Sequence, residues 1–417
     1  MSASEASAAQ ALPPVNPAAR ALSPVIVVVA LALLLGLQPI TTDLYLPALP
    51  LIRSELGAAM TQVQMTMALL LLAFGAGQLL MGPLSDRFGR RPVLLGGLAL
   101  HALGGATAAL APDIQALLLA RAVQGVGMAA SVVCARAMVR DLYEPHQGAQ
   151  AMSRALSGLG VIAFASPTVG GLLAAWGGWR APMAALAVCS GLLVAFVAWR
   201  LPETARRLDP HALNPGLLWR RLRGILAHPG FRAWALLVAG TYGGLVVLLA
   251  GTSFVYIGTL GMSTAQYGLA LASSSLAYIA GTVHCRRLLP RHGLAGTAGR
   301  GAVFTLAGGL SMLALGLTDT HWIPAVMLAQ WLYSWGHGFH QPCGQVGAVA
   351  PFPQAAGTAS ALAGFILALV AFSIGLWMGG ALDGSLRMLG WGMAVPAMTT
   401  AAIAWTLVRR HGDPAHA

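Results

Sequence analysis

Gly82-Pro83-Leu84-Ser85-Asp86-Arg87-Phe88-Gly89-Arg90-Arg91-Pro92 is a short charged run set between two long apolar ones, 61–81 and 92–111. An apolar run of about 20 residues is long enough to cross a bilayer as a helix. The flanking runs therefore read as two spans, and the residues between them as the loop that joins the spans on one side. Gly82 and Gly89 are expected to allow a tight turn and close helix approach. Asp86 can pair with Arg87, Arg90 or a cationic group elsewhere on the same face, or accept backbone N–H bonds at a helix start.

Outward from this loop the same alternation covers the chain. Apolar stretches lie near 24–50, 61–81, 92–111, 113–136, 152–175, 181–200, 231–258, 265–286, 298–317, 322–346, 355–379 and 388–408. Hydrophobic residues make up 57% of the 417 and charged residues only 9%, where a soluble domain carries about 25% charged residues. Most of the outer surface must face lipid. The 51 glycines fit, because small residues let membrane helices approach closely. The arginines test the count of twelve. With the N-terminus inside, 20 fall in cytoplasmic segments, among them Arg20, Arg154, Arg207 and Arg300, and only Arg53, Arg180 and Arg387 fall outside. The remaining one, Arg121, lies within a span. This asymmetry is the positive-inside rule and places both termini in the cytoplasm.

The composition also excludes chemistry. All 24 basic residues are Arg, so no Walker-A lysine and no Schiff-base lysine exists. The net charge of +12 is clustered between apolar stretches and forms no nucleic-acid surface. Cys134, Cys189, Cys285 and Cys343 lie far apart without metal-ligand spacing. No HExxH or GxSxG motif occurs. The expectation is therefore a non-enzyme without cofactor or metal. Residues 1–23 are Ala/Ser/Pro-rich and read as a disordered cytoplasmic tail, followed by a retained first helix rather than a cleaved signal. The polar stretch 201–230, with Pro202, Pro210, Pro215 and Pro229, divides the chain into an N-terminal half, 24–200, and a C-terminal half, 231–408, with a tail at 409–417.

The loop at 82–92 resembles the G-x-L-(A/S)-D-R-x-G-R-(R/K) signature of the major facilitator superfamily. That resemblance implies an all-α membrane protein of twelve helices in two six-helix halves, working by alternating access. It makes Gly82, Asp86, Arg87, Gly89, Arg90 and Arg91 a conformational latch that favours the outward-open state. A degraded counterpart, Gly281, Arg286, Arg287, Arg291 and Gly293, lacks the acid. Arg121-Ala122-Val123-Gln124-Gly125 is similar to the family's R-x-x-Q-G motif, and a charge at that depth marks a pathway or a pair. Ser166-Pro167-Thr168-Val169-Gly170-Gly171 is similar to the antiporter motif G-P-x-x-G-G, with Ser166 where Gly is usual. Pro167, Gly170 and Gly171 carry the match.

Asp43 is the only carboxylate inside a span. It is the expected proton site, with Arg121 in the same outer half of the membrane as a possible partner. The run Thr42-Asp43-Leu44-Tyr45-Leu46-Pro47-Ala48-Leu49-Pro50, with Arg136–Leu142, Gly178-Trp179-Arg180, Leu201-Pro202-Glu203-Thr204 and Gly357–Leu362, resembles the Bcr/CflA group of drug-resistance transporters. The resemblance implies proton-driven export of small drugs or metabolites from a bacterial cytoplasm across the inner membrane. Its partners would be a small-molecule substrate, protons and the lipid bilayer, and it would act as a monomer. Gln38, Tyr45, Gln124, Tyr242, Gln330, Tyr333, His337 and Gln341 are candidates for the substrate cavity; each could instead hydrogen-bond between helices. A facilitator or uptake permease, and a non-transporting receptor, are the rival expectations.

Overall fold

The computed structural model describes residues 22–143, 145–206 and 208–412. Most of the tails, with Arg20, and Arg207 in the linker lie outside these residues. The described chain is helical throughout. The first half holds α1 (Pro24–Asp43), a short α2 (Leu49–Glu55), α3 (Met60–Phe88), α4 (Arg90–Ala109), α5 (Ile114–Leu142), α6 (Pro145–Gly177) and α7 (Arg180–Arg200). The linker contains α8 (Pro215–Ala227). The second half holds α9 (Pro229–Val246), α10 (Thr264–Leu317), α11 (Ile323–Val349), α12 (Ala356–Ala381) and α13 (Leu386–Ile403).

Ten of the described helical segments are long and apolar enough to span a membrane. Two facts convert ten into twelve. First, α10 has 54 residues, about 80 Å if straight, which is far more than a bilayer needs. It breaks at Gly293, where φ is 62°. Its first limb runs parallel to α11, since Ala270 faces Gln330 and Cys285 faces Cys343. Its second limb runs antiparallel, since Ala298 faces His340 and Gly308 faces Tyr333. The two limbs therefore form a hairpin of two spans. Second, α11 is too polar to count by hydropathy because it carries Gln330, His337, His340 and Gln341, all of which the fold covers with other helices or leaves only partly open.

Local signals set the helix ends. Asp113 caps α5 by accepting from Ala116 N–H at 2.8 Å, Ser263 and Gln266 form a capping box on α10, and Asn214 caps α8. Apolar side chains such as Leu80, Leu103, Trp176 and Trp199 point outward and are exposed, as a lipid-facing surface requires.

The halves meet along two helix pairs. The second span, α3, lies along the eleventh, α12: Thr61 Oγ1 donates to the Gly379 carbonyl at 2.8 Å, and Ala68 packs on Gly375. The fifth span, α6, lies along the eighth, the first limb of α10: Gly171 packs on Thr264 and Ala265, and Gly268 on Pro167. A two-fold exchange of the halves turns one pair into the other, as two parallel six-helix repeats demand.

Candidate functional site

The first span is not one helix. Counted through the 3₁₀ turn Leu46–Ala48 and α2, it runs from Pro24 to Glu55, 32 residues. Asp43 is the last residue of α1 and lies well inside this length. Pro47 and Pro50 follow it. A proline lacks an N–H and disfavours helical geometry in the residue before it, so the regular ladder ends here. The carboxylate thus sits at a helix interruption, with further helical residues running on to Glu55. It accepts a hydrogen bond from Thr42 Oγ1 at 2.6 Å. Across the seam it lies within electrostatic range of Tyr242 of α9 and Tyr267 of α10.

The antiporter-like motif explains how this interruption is held. Gly170 is pressed against the Leu44 backbone, so that even a methyl group there would overlap the Leu44 carbonyl oxygen. A methyl at the next residue, Gly171, would come within 2.6 Å of the Thr264 carbonyl oxygen in the other half. Two consecutive glycines therefore place one helix backbone against the break beside Asp43 and against the opposite half at once. Ser166 fills the position of the missing glycine and turns its hydroxyl onto the Ile162 carbonyl at 2.7 Å.

Arg121 is fully buried in α5. Its guanidinium donates to Gln124 Oε1 at 2.8 Å and to the Thr41 carbonyl at 3.0 Å, and its carbon centre stacks 4.0 Å over the Tyr45 ring. It makes no ion pair with Asp43 in this conformation. The charge is instead spread over a carbonyl, an amide and an aromatic face, each a neutral partner. Arg121 therefore holds the turn of α1 that carries Asp43. His101 also holds that turn, and the sequence reading missed it. Its Nε2 is 2.9 Å from Thr41 Oγ1 and its Nδ1 is 2.7 Å from Ser190 Oγ, all buried. An ionisable residue in an apolar span was the available signal.

The cavity candidates separate by whether their polar atoms are already engaged. Tyr45 and Gln124 are bound to Arg121. Gln330 accepts from Tyr256 and donates to Ser274 and Ala270. Tyr333 donates to the Thr241 carbonyl at 3.0 Å. All four are fully buried; Tyr45, Gln330 and Tyr333 are interhelical ties in this conformation rather than cavity lining, while Gln124 is bound to Arg121 within α5 and keeps a buried Nε2 without a partner. Gln38 is half-buried and has no side-chain hydrogen bond among the described residues. Gln341 carries a buried Oε1 without a partner. Tyr242 and His337 converge with Tyr278, a residue the sequence reading passed over: the His337 ring lies 6.2 Å from Tyr242 and 5.6 Å from Tyr278. A separate cleft of about 620 Å³ opens at the rim of the seam, lined by Pro50, Arg53, Met60, Phe254 and Asp383. It does not reach Asp43.

The loop at 82–92 departs from its expected geometry. α3 continues through Phe88, so Gly82 is helical with open space where a side chain would go, and the turn is made at Gly89 alone, at φ 99°. Arg90 donates to Asp86 at 2.5 Å, to Asp141 of α5 at 2.9 Å and to Ser85 at 2.8 Å. Arg87 donates to the Pro210 carbonyl and Arg91 to the Ala198 carbonyl. The Asp86 pair and its neighbours thus tie together the first half and the linker, not the two halves. Glu203 accepts from the N–H groups of Arg90 and Arg91, at 2.9 and 3.0 Å, which caps the start of α4 from the linker. Glu203→Ala should cost about 1 kcal/mol, the usual worth of such a cap. The check is a lowered Tm in detergent with helix content unchanged; an unaltered Tm refutes the capping role.

Contacts across the seam on this face come from elsewhere. Arg136 Nη1 donates to Ser360 Oγ of α12 at 2.8 Å, and Arg140 lies against Gly357.

Twelve spans in two halves, meeting at paired helices around partly unengaged polar groups, define a membrane transporter. Residues 31–376 match the Major Facilitator Superfamily, and the chain belongs to that family. It is 30% identical over 362 residues to a chloramphenicol resistance protein of Pseudomonas aeruginosa, covering 87% of this chain and 84% of that one. It is 29% identical over 343 residues to multidrug resistance protein D of Escherichia coli strain K12, covering 80% and 83%. Its fold is similar to that of a bacterial homolog of the human lysosomal transporter Spinster in an inward-facing, unoccupied conformation. There the TM-score is 0.72 at 16% identity, over 93% of this chain and 97% of that one.

Proposed function

We propose that this transporter exports small drug-like molecules in exchange for protons. It would do so as a monomer in a bacterial inner membrane, with both termini in the cytoplasm. The observation that carries the proposal is Asp43: a carboxylate at a helix break inside the first span, without an arginine ion pair among the described residues and within electrostatic range of two tyrosines of the opposite half. A carboxylate unpaired at that depth is costly when ionised. Proton binding removes the cost and lets the halves close over the break; substrate entering the seam from the cytoplasm favours release of the proton. The relatives named for resistance to chloramphenicol and to multiple drugs support export as the direction and drugs as the cargo.

The test is uptake of chloramphenicol into proteoliposomes with an acidic interior. Wild-type protein should accumulate it as the gradient runs down. Asp43→Asn should equilibrate it without accumulation and without proton release. Accumulation by Asp43→Asn at the wild-type level would remove Asp43 from the coupling step.

A further inference from the structure

The second half contains a hydrogen-bond chain whose proton positions are fixed by its far end. His340 Nε2 lies 3.2 Å from the Ala298 carbonyl oxygen. A carbonyl oxygen only accepts, so His340 carries its proton on Nε2. His340 is fully buried with no carboxylate in ion-pair range among the described residues. A buried unpaired charge is strongly disfavoured, so the ring is neutral and its Nδ1 bears a lone pair. That Nδ1 is 3.3 Å from Thr241 Oγ1, and it accepts the hydrogen bond that this hydroxyl donates. Thr305, also nearby, has its own acceptor in the Gly301 carbonyl at 3.4 Å.

Thr241 Oγ1 then has only lone pairs to offer. His337 Nδ1 lies 3.2 Å from it and must donate. His337 is itself buried without a carboxylate in ion-pair range among the described residues, so it too is neutral, and a neutral ring protonated on Nδ1 has a bare Nε2. This Nε2 has no hydrogen-bond partner among the described residues. The ring carrying it lies beside Tyr242 and Tyr278, whose hydroxyls have none there either. Tyr242 also lies within electrostatic range of Asp43 across the seam.

We propose that His337 Nε2 is a fixed hydrogen-bond acceptor of the substrate site, and that the second half selects molecules bearing an N–H or O–H donor. Thr241 and His340 are positioning residues: they hold the tautomer and touch no substrate. The inference rests on the transport reading for its biological meaning, but its chemistry stands on this chain of hydrogen bonds alone.

Two lipophilic monovalent cations test it by equilibrium binding to the purified full-length protein. Ethidium carries amine N–H donors and tetraphenylphosphonium carries none, while Asp43 meets the same unit charge in both. The amide of His337→Asn lies where Nδ1 was and keeps the donor to Thr241, but it has nothing at Nε2. His337→Gln puts an amide oxygen near the Nε2 position. His337→Asn should weaken ethidium binding about ten-fold, the order of one lost hydrogen bond to a ligand, and His337→Gln should restore most of it. Tetraphenylphosphonium should bind all three proteins alike. Equal losses for both cations would mean a packing role and overturn the proposal, as would ethidium binding indifferent to His337→Asn.

A second readout needs no ligand. In protein labelled with ¹⁵N-histidine, the signals that vanish in His337→Asn should be those of a ring with a protonated Nδ1 and a bare Nε2. The opposite tautomer would overturn the proposal whatever the binding data show. Failure of the export reading has a different signature: no gradient-driven flux of any probe, with the binding difference and the tautomer intact.

Discussion

Gly170→Val should abolish transport and lower the yield of folded protein. A side chain at Gly170 would overlap the Leu44 carbonyl oxygen, and the obstacle is backbone rather than a flexible side-chain end. Overpacking of this kind typically costs about 1–3 kcal/mol. Relief requires α6 to move off the first span, and that movement unseats the turn that carries Asp43 and loosens the contact of Gly171 with the other half. Gly170→Ala should show the same defect in milder form. The control is Gly191→Ala on α7, where nothing lies within 4 Å of the added methyl; it should leave Tm and flux as they are. Thermal unfolding in detergent and proteoliposome flux, measured on the same preparations, decide the matter. A Gly170→Ala protein with wild-type Tm and flux would mean that the close packing is not needed.

The second large effect is expected at Arg90. Its guanidinium is the only cation in ion-pair contact with Asp141 among the described residues, and the Asp141 side chain is only 15% exposed. Burial raises the free-energy cost of an unpaired carboxylate there, so Arg90→Ala should destabilise the first half by about 3 kcal/mol. Asp86 contributes less, because its side chain is 49% exposed and water can replace the lost partner. Arg90→Lys should recover only part, since a single ammonium cannot reach two carboxylates and Ser85 at once. A double-mutant cycle with Asp141→Asn isolates the pair. If Arg90→Ala costs as much in the Asp141→Asn background as in wild type, the pair carries no coupling and the assignment is wrong.

The motifs in the sequence identified the right helices but misjudged what several residues do. Arg121 was legible as a charge within an apolar run that must have partners. That Arg121 is held by Thr41 and Tyr45 of the first span, beside Gln124 of its own helix, rather than by Asp43 was not legible, because the contacts to the first span depend on rotation about each helix axis. The loop at 82–92 was read as a turn with two hinge glycines. The apolar and polar pattern around Gly82 is equally compatible with a last helical turn, and only the packing shows α3 running on to Phe88. His101 and Tyr278 went unnoticed because a single polar residue in an apolar run has no periodic signature. Their importance comes from Thr41, Ser190 and His337, which are distant in sequence.

By itself the sequence determined that the chain is a membrane protein, how many spans it has and that it divides into two halves. These follow from local quantities: the length of apolar runs, the placement of arginines, and prolines that end a helix. The tertiary structure decided which polar groups are spent on holding helices together and which remain available. Tyr45, Gln330 and Tyr333 are spent; Asp43, Gln124, Tyr242 and His337 keep polar atoms without partners, and the bare nitrogen of His337 follows from a carbonyl on the second limb of α10. The physical reason is that a hydrogen bond between spans depends on the relative rotation and depth of two helices. No local pattern encodes these; they are set when all twelve helices pack together.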